Sequence, residues 1–179
     1  GERLRIGGIN PAPNIQIKRM ANAVIKVDGD NGLGPVVGMR TLRATMALAR
    51  EHGVAVGFAH GSNHFGPISP YLYEAAQSGM ASLVCSNATT TIAPWGGSDA
   101  RLGNNPMGLG APGPEGNHFM LDMAISVAAR AKIRSALREG RPIPDTWATD
   151  AGGNPTTDPA KALDGFLQPM GGYKGYGLA

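Results

Sequence analysis

Two imidazoles, a hydroxyl and a carboxamide are gathered in His60-Gly61-Ser62-Asn63-His64, and Phe65-Gly66 follow directly. An imidazole changes charge near neutral pH, so it can give or take a proton in either direction. Amide and hydroxyl groups beside it can orient a substrate. The alternative is a polar turn with capping side chains. His60 and His64 are four apart, a zinc-binding spacing on a helix, but Gly61, Ser62 and Asn63 have no helical character and supply no Glu. Only His52 and His118 remain as further histidines, so no metal site is expected. A metal-dependent hydrolase using His60 and His64 is kept as a rival reading.

Three further groups carry chemistry. Asp122 closes an apolar run just before a helical pattern, where it can cap that helix or accept from a ribose hydroxyl. Lys174 lies among Gly171, Gly172, Gly175 and Gly177, where backbone can approach a ligand closely and a lone cation can hold a phosphate; the other reading is an exposed flexible loop. Asn104-Asn105-Pro106 offers amides for a substrate carboxylate or a nicotinamide amide, or simply an Asx turn. Lys132 and Arg134 read as surface residues.

The elements that must position these groups follow from pattern. Val54-Ala55-Val56-Gly57-Phe58-Ala59 reads as a buried strand, and Pro67 to Gly79 as a short helix with Gly79 as its stop. The His60–His64 cluster therefore sits on a strand-to-helix turn, a common ligand position in α/β folds. With the apolar run 80–85 these form a β-α-β unit. Ile15 and Ile17 alternate with polar residues as in a strand, and Val24, Ile25 and Val27 suggest another. Asp28 to Gly34 is a turn cluster that matches neither G-x-G-x-x-G nor a phosphate-binding loop. From Pro35 to His52, Val36, Met39, Leu42, Met46 and Ala49 recur at helical spacing, with Gly53 as the C-cap and His52 complementing the helix dipole. Residues 86–114 and 145–161 read as long loops. His118 to Met123 reads as a strand, and Ser126 to Glu139 as a helix with Val127, Ile133 and Leu137 inward.

Composition bounds the class. The 27 Gly and 14 Pro follow no fixed period, which excludes collagen and solenoids and marks a loop-rich α/β chain. The net charge is only +3, and Arg134, Arg138 and Arg141 form one helix face, so no nucleic-acid partner is expected. The single Cys85 excludes an internal disulfide, fits a reducing compartment, and in its apolar run reads as a buried small hydrophobe. No run approaches the ~20 apolar residues of a membrane helix. No signal peptide opens the chain, so a cytoplasmic protein without a membrane partner is expected. Both ends read as the middle of something, and a fragment of a longer chain is expected.

In order along the chain come Ser62-Asn63-His64-Phe65-Gly66, Ala93-Pro94-Trp95-Gly96-Gly97, Gly103-Asn104-Asn105-Pro106, Leu121-Asp122-Met123-Ala124, Ile143-Pro144-Asp145-Thr146-Trp147-Ala148-Thr149-Asp150, Asn154-Pro155-Thr156-Thr157-Asp158-Pro159 and Gly171-Gly172-Tyr173-Lys174-Gly175-Tyr176-Gly177. Together they resemble the malate/L-lactate dehydrogenase family, which includes ureidoglycolate, L-sulfolactate and diketogulonate dehydrogenases or reductases and is distinct from the Rossmann-fold lactate and malate dehydrogenases. The resemblance covers essentially the whole chain. It implies hydride exchange between NAD or NADP and a small 2-hydroxy or 2-oxo acid such as malate, lactate or ureidoglycolate. It also implies an α/β fold with a non-Rossmann large mixed β-sheet and flanking helices, incomplete at both ends, and a homodimer. Residues 1–179 would form one incomplete domain, mainly the cofactor-binding part, with 1–13 a connector and 166–179 the start of a segment leading onward.

By the same resemblance, His64 matches a histidine that acts as catalytic acid/base in some members and in the cofactor site in others. His64, Phe65, Gly66, Pro67 and Ile68 match a cofactor-contacting segment. Asp122, Met123, Ala124, Lys174 and Gly175 match cofactor contacts, and Ala88 falls where one branch has a contacting serine. Asn104 replaces the Thr of Gly-Thr-Asn-Pro at a position linked to substrate, and Ala131 replaces a common Gly. The family's N-terminal Ser-His-Gly-x-x-Arg motif, which supplies a histidine and a carboxylate-binding arginine, is absent, so residues 1–179 alone are expected to be inactive. A non-catalytic binding module of the same fold is the remaining alternative.

Overall fold

Ile25 and Val27 are buried while Lys26 and Asp28 are exposed, the period-two pattern of a strand with one covered face. In the computed structural model, which describes residues 2–179, this strand is β2 (Val24–Gly32). A short helix α1 (Glu2–Arg5) precedes β1 (Gln16–Ala21), which pairs antiparallel with β2, and β3 (Val56–Ser62) pairs parallel on the other side. The sheet order is β1-β2-β3. The 19-residue helix α2 (Gly34–His52) packs on β2 and β3, and Ile15, Ile25, Val27, Val37 and Leu48 form one core cluster. Fully burying such an aliphatic side chain contributes about 1.5–3 kcal/mol. Gly53 ends α2 at φ 79°. Its N–H donates to Ala49 O at 2.8 Å, the left-handed glycine stop that commonly closes a helix.

The helix is where its period predicts it, but its buried stripe is different. Val37, Thr41, Met46 and Leu48 are buried, while Val36 is half exposed. The cause is that α2 meets the sheet on one side and α3 (Ser69–Gln77) on another, so packing selects a broader and rotated stripe. Arg43 of α2 grips Glu74 of α3 through Nε and Nη2, at 2.6 and 3.2 Å, and holds that carboxyl below the usual range. This exposed pair therefore adds a small stabilisation that is lost as pH falls through the lowered value.

Several expectations are corrected. The strand expected at 54–59 is β3 (Val56–Ser62), shifted toward the histidines, and its Val56 and Phe58 are exposed, because β3 is an edge strand that α2 covers on one face only. The β-α-β unit does not close in one sheet. Past α3, Gly79 at φ 76° turns the chain, and β4 (Ser82–Cys85) joins a different sheet in the order β4-β7-β8. Cys85 is exposed, since the strand's alternating burial places it outward. The 86–114 stretch holds β5 (Thr90–Ile92), antiparallel to β6 (Leu102–Gly103), and then β7 (Met107–Ala111). The mixed α/β class is as expected, and the strands are divided among three small sheets.

Farther on, β8 (Phe119–Met123) contains Asp122, and the next helix α4 (Arg130–Arg138) begins only after an extended stretch in which Ser126 bridges to Pro169. Asp122 is thus too far upstream to cap α4, whose N-cap is Ala129, and Val127 and Leu137 are exposed rather than inward. In the 145–161 region, the Asp158 carboxylate accepts from Ala160 N at 2.8 Å and starts α5 (Pro159–Asp164), as an N-cap side chain does. Lys174 lies in α6 (Tyr173–Leu178), not in a loop. Gly171 and Gly172, at φ 63° and 66°, make the turn that lets this helix begin, a conformation open to glycine at no steric cost. By contacts the chain groups into two compact units, Gly1–Leu83 with Leu109–Leu121, and Val84–Gly108 with Asp122–Ala179. The second has its own core of Ile92, Ile133, Ala136, Ile143, Ala148, Ala162 and Leu167.

Candidate functional site

His64 lies in the first unit, on the segment between the end of β3 and the start of α3, and its side chain is exposed. The main chain around it is firmly held. Asn63 Nδ2 donates to Asn31 O at 3.1 Å, Asn31 Oδ1 at 3.0 Å and Gly32 O at 3.0 Å. The Tyr71 hydroxyl donates to Phe65 O at 2.7 Å, and burial pushes its pKa up, so it stays a donor. The Phe65 and Tyr71 rings pack 5.2 Å apart, and Ile68 is fully buried. Gly34, in the first turn of α2, has no room for a side chain: a Cβ there would overlap the carbonyl oxygens of Asn63 and His64. The result is an exposed imidazole on a backbone fixed from both sides, which suits proton transfer. His60 instead lies on β3, exposed, with Nδ1 4.0 Å from Asp28 Oδ1 on the paired strand. His52 does more than face a helix dipole, since Arg19 Nη2 lies 2.8 Å from its Nε2.

The remaining sequence-predicted residues lie in the second unit: Ala88, Asn104, Asp122, Met123, Ala124, Lys174 and Gly175. Asp122 and Lys174 are exposed, Ala88, Asn104, Met123 and Ala124 half-buried, and Gly175 buried. Several of these segments are tied together. Asn104 O accepts from Ile125 N at 2.8 Å, and Ile125 O accepts from Met170 N at 2.9 Å. Gly175 packs directly on Met170, where a Cβ would overlap its carbonyl. The Asn104 carboxamide has no hydrogen bond among the described residues, which leaves it available to a ligand. Beside Lys174, Tyr173 meets Trp95 edge-on at 6.5 Å, with both rings largely exposed.

Asn105 is the supporting residue that sequence reasoning did not single out. Its Oδ1 accepts from Ala88 N at 2.9 Å and its Nδ2 donates to Ala179 O at 2.7 Å. The amide-rich Gly103-Asn104-Asn105-Pro106 was the signal, but two adjacent amides could not be told apart by sequence. Asn105→Ala leaves a donor and an acceptor unpartnered and is expected to lower stability by about 1–3 kcal/mol. Denaturant unfolding measures this, and an unchanged midpoint would mean that solvent satisfies both groups.

The whole chain, residues 1–179, matches the family described as Malate/L-lactate dehydrogenase. The chain belongs to this family. It is 43% identical over 176 residues to the L-sulfolactate dehydrogenase of Methanocaldococcus jannaschii, covering 98% of this chain and 51% of that protein. It is 38% identical over 181 residues to the malate dehydrogenase of Pyrococcus horikoshii, covering 97% of this chain and 50% of the relative. The solved structure of the Methanocaldococcus jannaschii sulfolactate dehydrogenase superposes with a TM-score of 0.87 at 43% identity, over 98% of this chain and 51% of that one. The chain therefore spans about half the length of the family relatives it matches.

Proposed function

We propose that the protein carrying this chain exchanges a hydride between NAD or NADP and a small 2-hydroxy or 2-oxo acid, with His64 handling the proton. The observation that carries this reading is the family match over residues 1–179. The exposed imidazole on a rigid strand-to-helix turn supports it. Relatives named for sulfolactate and malate point to a 2-hydroxy acid as the substrate class.

The donor chemistry fits a dinucleotide: the exposed ammonium of Lys174 suits a phosphate, and the exposed carboxylate of Asp122 suits a ribose hydroxyl. Met123, Ala124 and Gly175 are proposed to support those contacts, and Phe65 to Ile68 to face the cofactor beside His64. When bound, the nicotinamide supplies or accepts the hydride. His64 as neutral imidazole takes the proton of the substrate hydroxyl, and as imidazolium returns it to the carbonyl oxygen. The free carboxamide of Asn104 orients the acid. A homodimer belongs to the same reading, and no described helix is long and apolar enough to cross a membrane.

The test is oxidation of NADH and NADPH by the purified natural protein with a panel of 2-oxo acids. Turnover with one of them is expected, and none with any acid would overturn the reading. Lys174→Met is expected to weaken cofactor binding by about 1.5–3 kcal/mol, the range for a hydrogen bond to a charged group. Fluorescence titration of NADH reads this, and an unchanged dissociation constant would remove Lys174 from the cofactor.

A further inference from the structure

We infer that Asn63 is a positioning residue for His64, assisted by Tyr71; this rests on the proton-transfer role proposed for His64. Asn63 has two N–H hydrogens on Nδ2 and three acceptors within 3.1 Å, all supplied by Asn31 and Gly32 at the end of β2. One hydrogen is therefore shared, and the carboxamide nitrogen is fully engaged. Its acceptors are themselves aimed by unusual backbone. Asp30 and Asn31 both have left-handed φ, 47° and 55°. Asp and Asn are among the non-glycine residues that take up this conformation most readily. Asn31 O also accepts from Asn10 N at 2.9 Å, which fixes that carbonyl from a second side.

On the other side of His64, the Tyr71 hydroxyl holds the Phe65 carbonyl from within α3. Tyr71 is buried and its ring packs on Phe65, so the anchor moves little. His64 itself contributes none of these bonds. Its neighbours Asn63 and Phe65 are each tied to a different element, one to the end of β2 and the other to α3. Proton transfer falls off steeply when a group is displaced by even an ångström, so a side chain that fixes the main chain on which the imidazole stands sets its efficiency.

The experiment measures kcat for Asn63→Ala and Tyr71→Phe in the natural protein, each alone and combined with His64→Ala. Asn63→Ala is expected to lower kcat about tenfold or more, and Tyr71→Phe by a smaller factor, since a small displacement of a catalytic group has effects of this order. In the His64→Ala background the same substitutions are expected to change kcat by less than about twofold, because groups acting through one residue are non-additive. Equal losses in both backgrounds would show a merely structural role and overturn the inference, as would no loss from either substitution. If Asn63→Ala does not fold, Tyr71→Phe, which removes only the hydroxyl, decides by the same comparison. Normal turnover in His64→Ala overturns the proton-transfer reading itself, and the inference with it. A large loss there with none at Asn63 and Tyr71 overturns only the inference.

Discussion

His64→Ala is expected to lower kcat by about 10²-fold or more in the natural protein, the usual range for losing an acid or base that moves a proton in the rate-determining step. The imidazole is exposed, so its removal leaves no cavity and no buried group unpartnered. Stability should therefore change little, which separates a chemical loss from an unfolding one. Near-normal turnover in a folded variant would leave His64 with cofactor positioning at most.

Gly34→Ala should destabilise the fold and lower turnover together, although propensity alone argues the other way. Replacing a helical glycine by alanine is favourable by about 1 kcal/mol when nothing else intervenes. Here the new Cβ would overlap the carbonyl oxygens of Asn63 and His64. Those are backbone atoms, and the segment is already tied down through Asn63 and Tyr71, so it cannot swing aside as a flexible side chain would. Overpacking of this kind costs about 1–3 kcal/mol, occasionally more, and outweighs the gain in propensity. Relief by shifting the main chain moves His64, which is why kcat should fall with stability. Denaturant unfolding and steady-state rates check both parts, and a variant as stable and as active as the parent would mean that the two carbonyls yield freely.

What the sequence determined by itself is the set of local features and their order. The Ile25/Val27 alternation, the helical period from Pro35 to His52 and the stop at Gly53 are written in neighbouring residues, and each is where it was expected. The chain order of the motifs around His64, Trp95, Asn105, Asp122 and Lys174 sufficed for the family, because a family is recognised by residue types in sequence and not by their contacts. Tertiary structure decided everything that depends on a distant partner. Asn63 finds its acceptors 31 and 32 residues away, and Asn105 reaches Ala179 across 74. Whether β3 and β4 share a sheet depends on which strand edges are free when they dock, and the answer, two different sheets, has no local signal. The buried stripe of α2 differs from the one its period predicts for the same reason, since the period is set by the helix but the direction is set by the sheet and α3 that it meets.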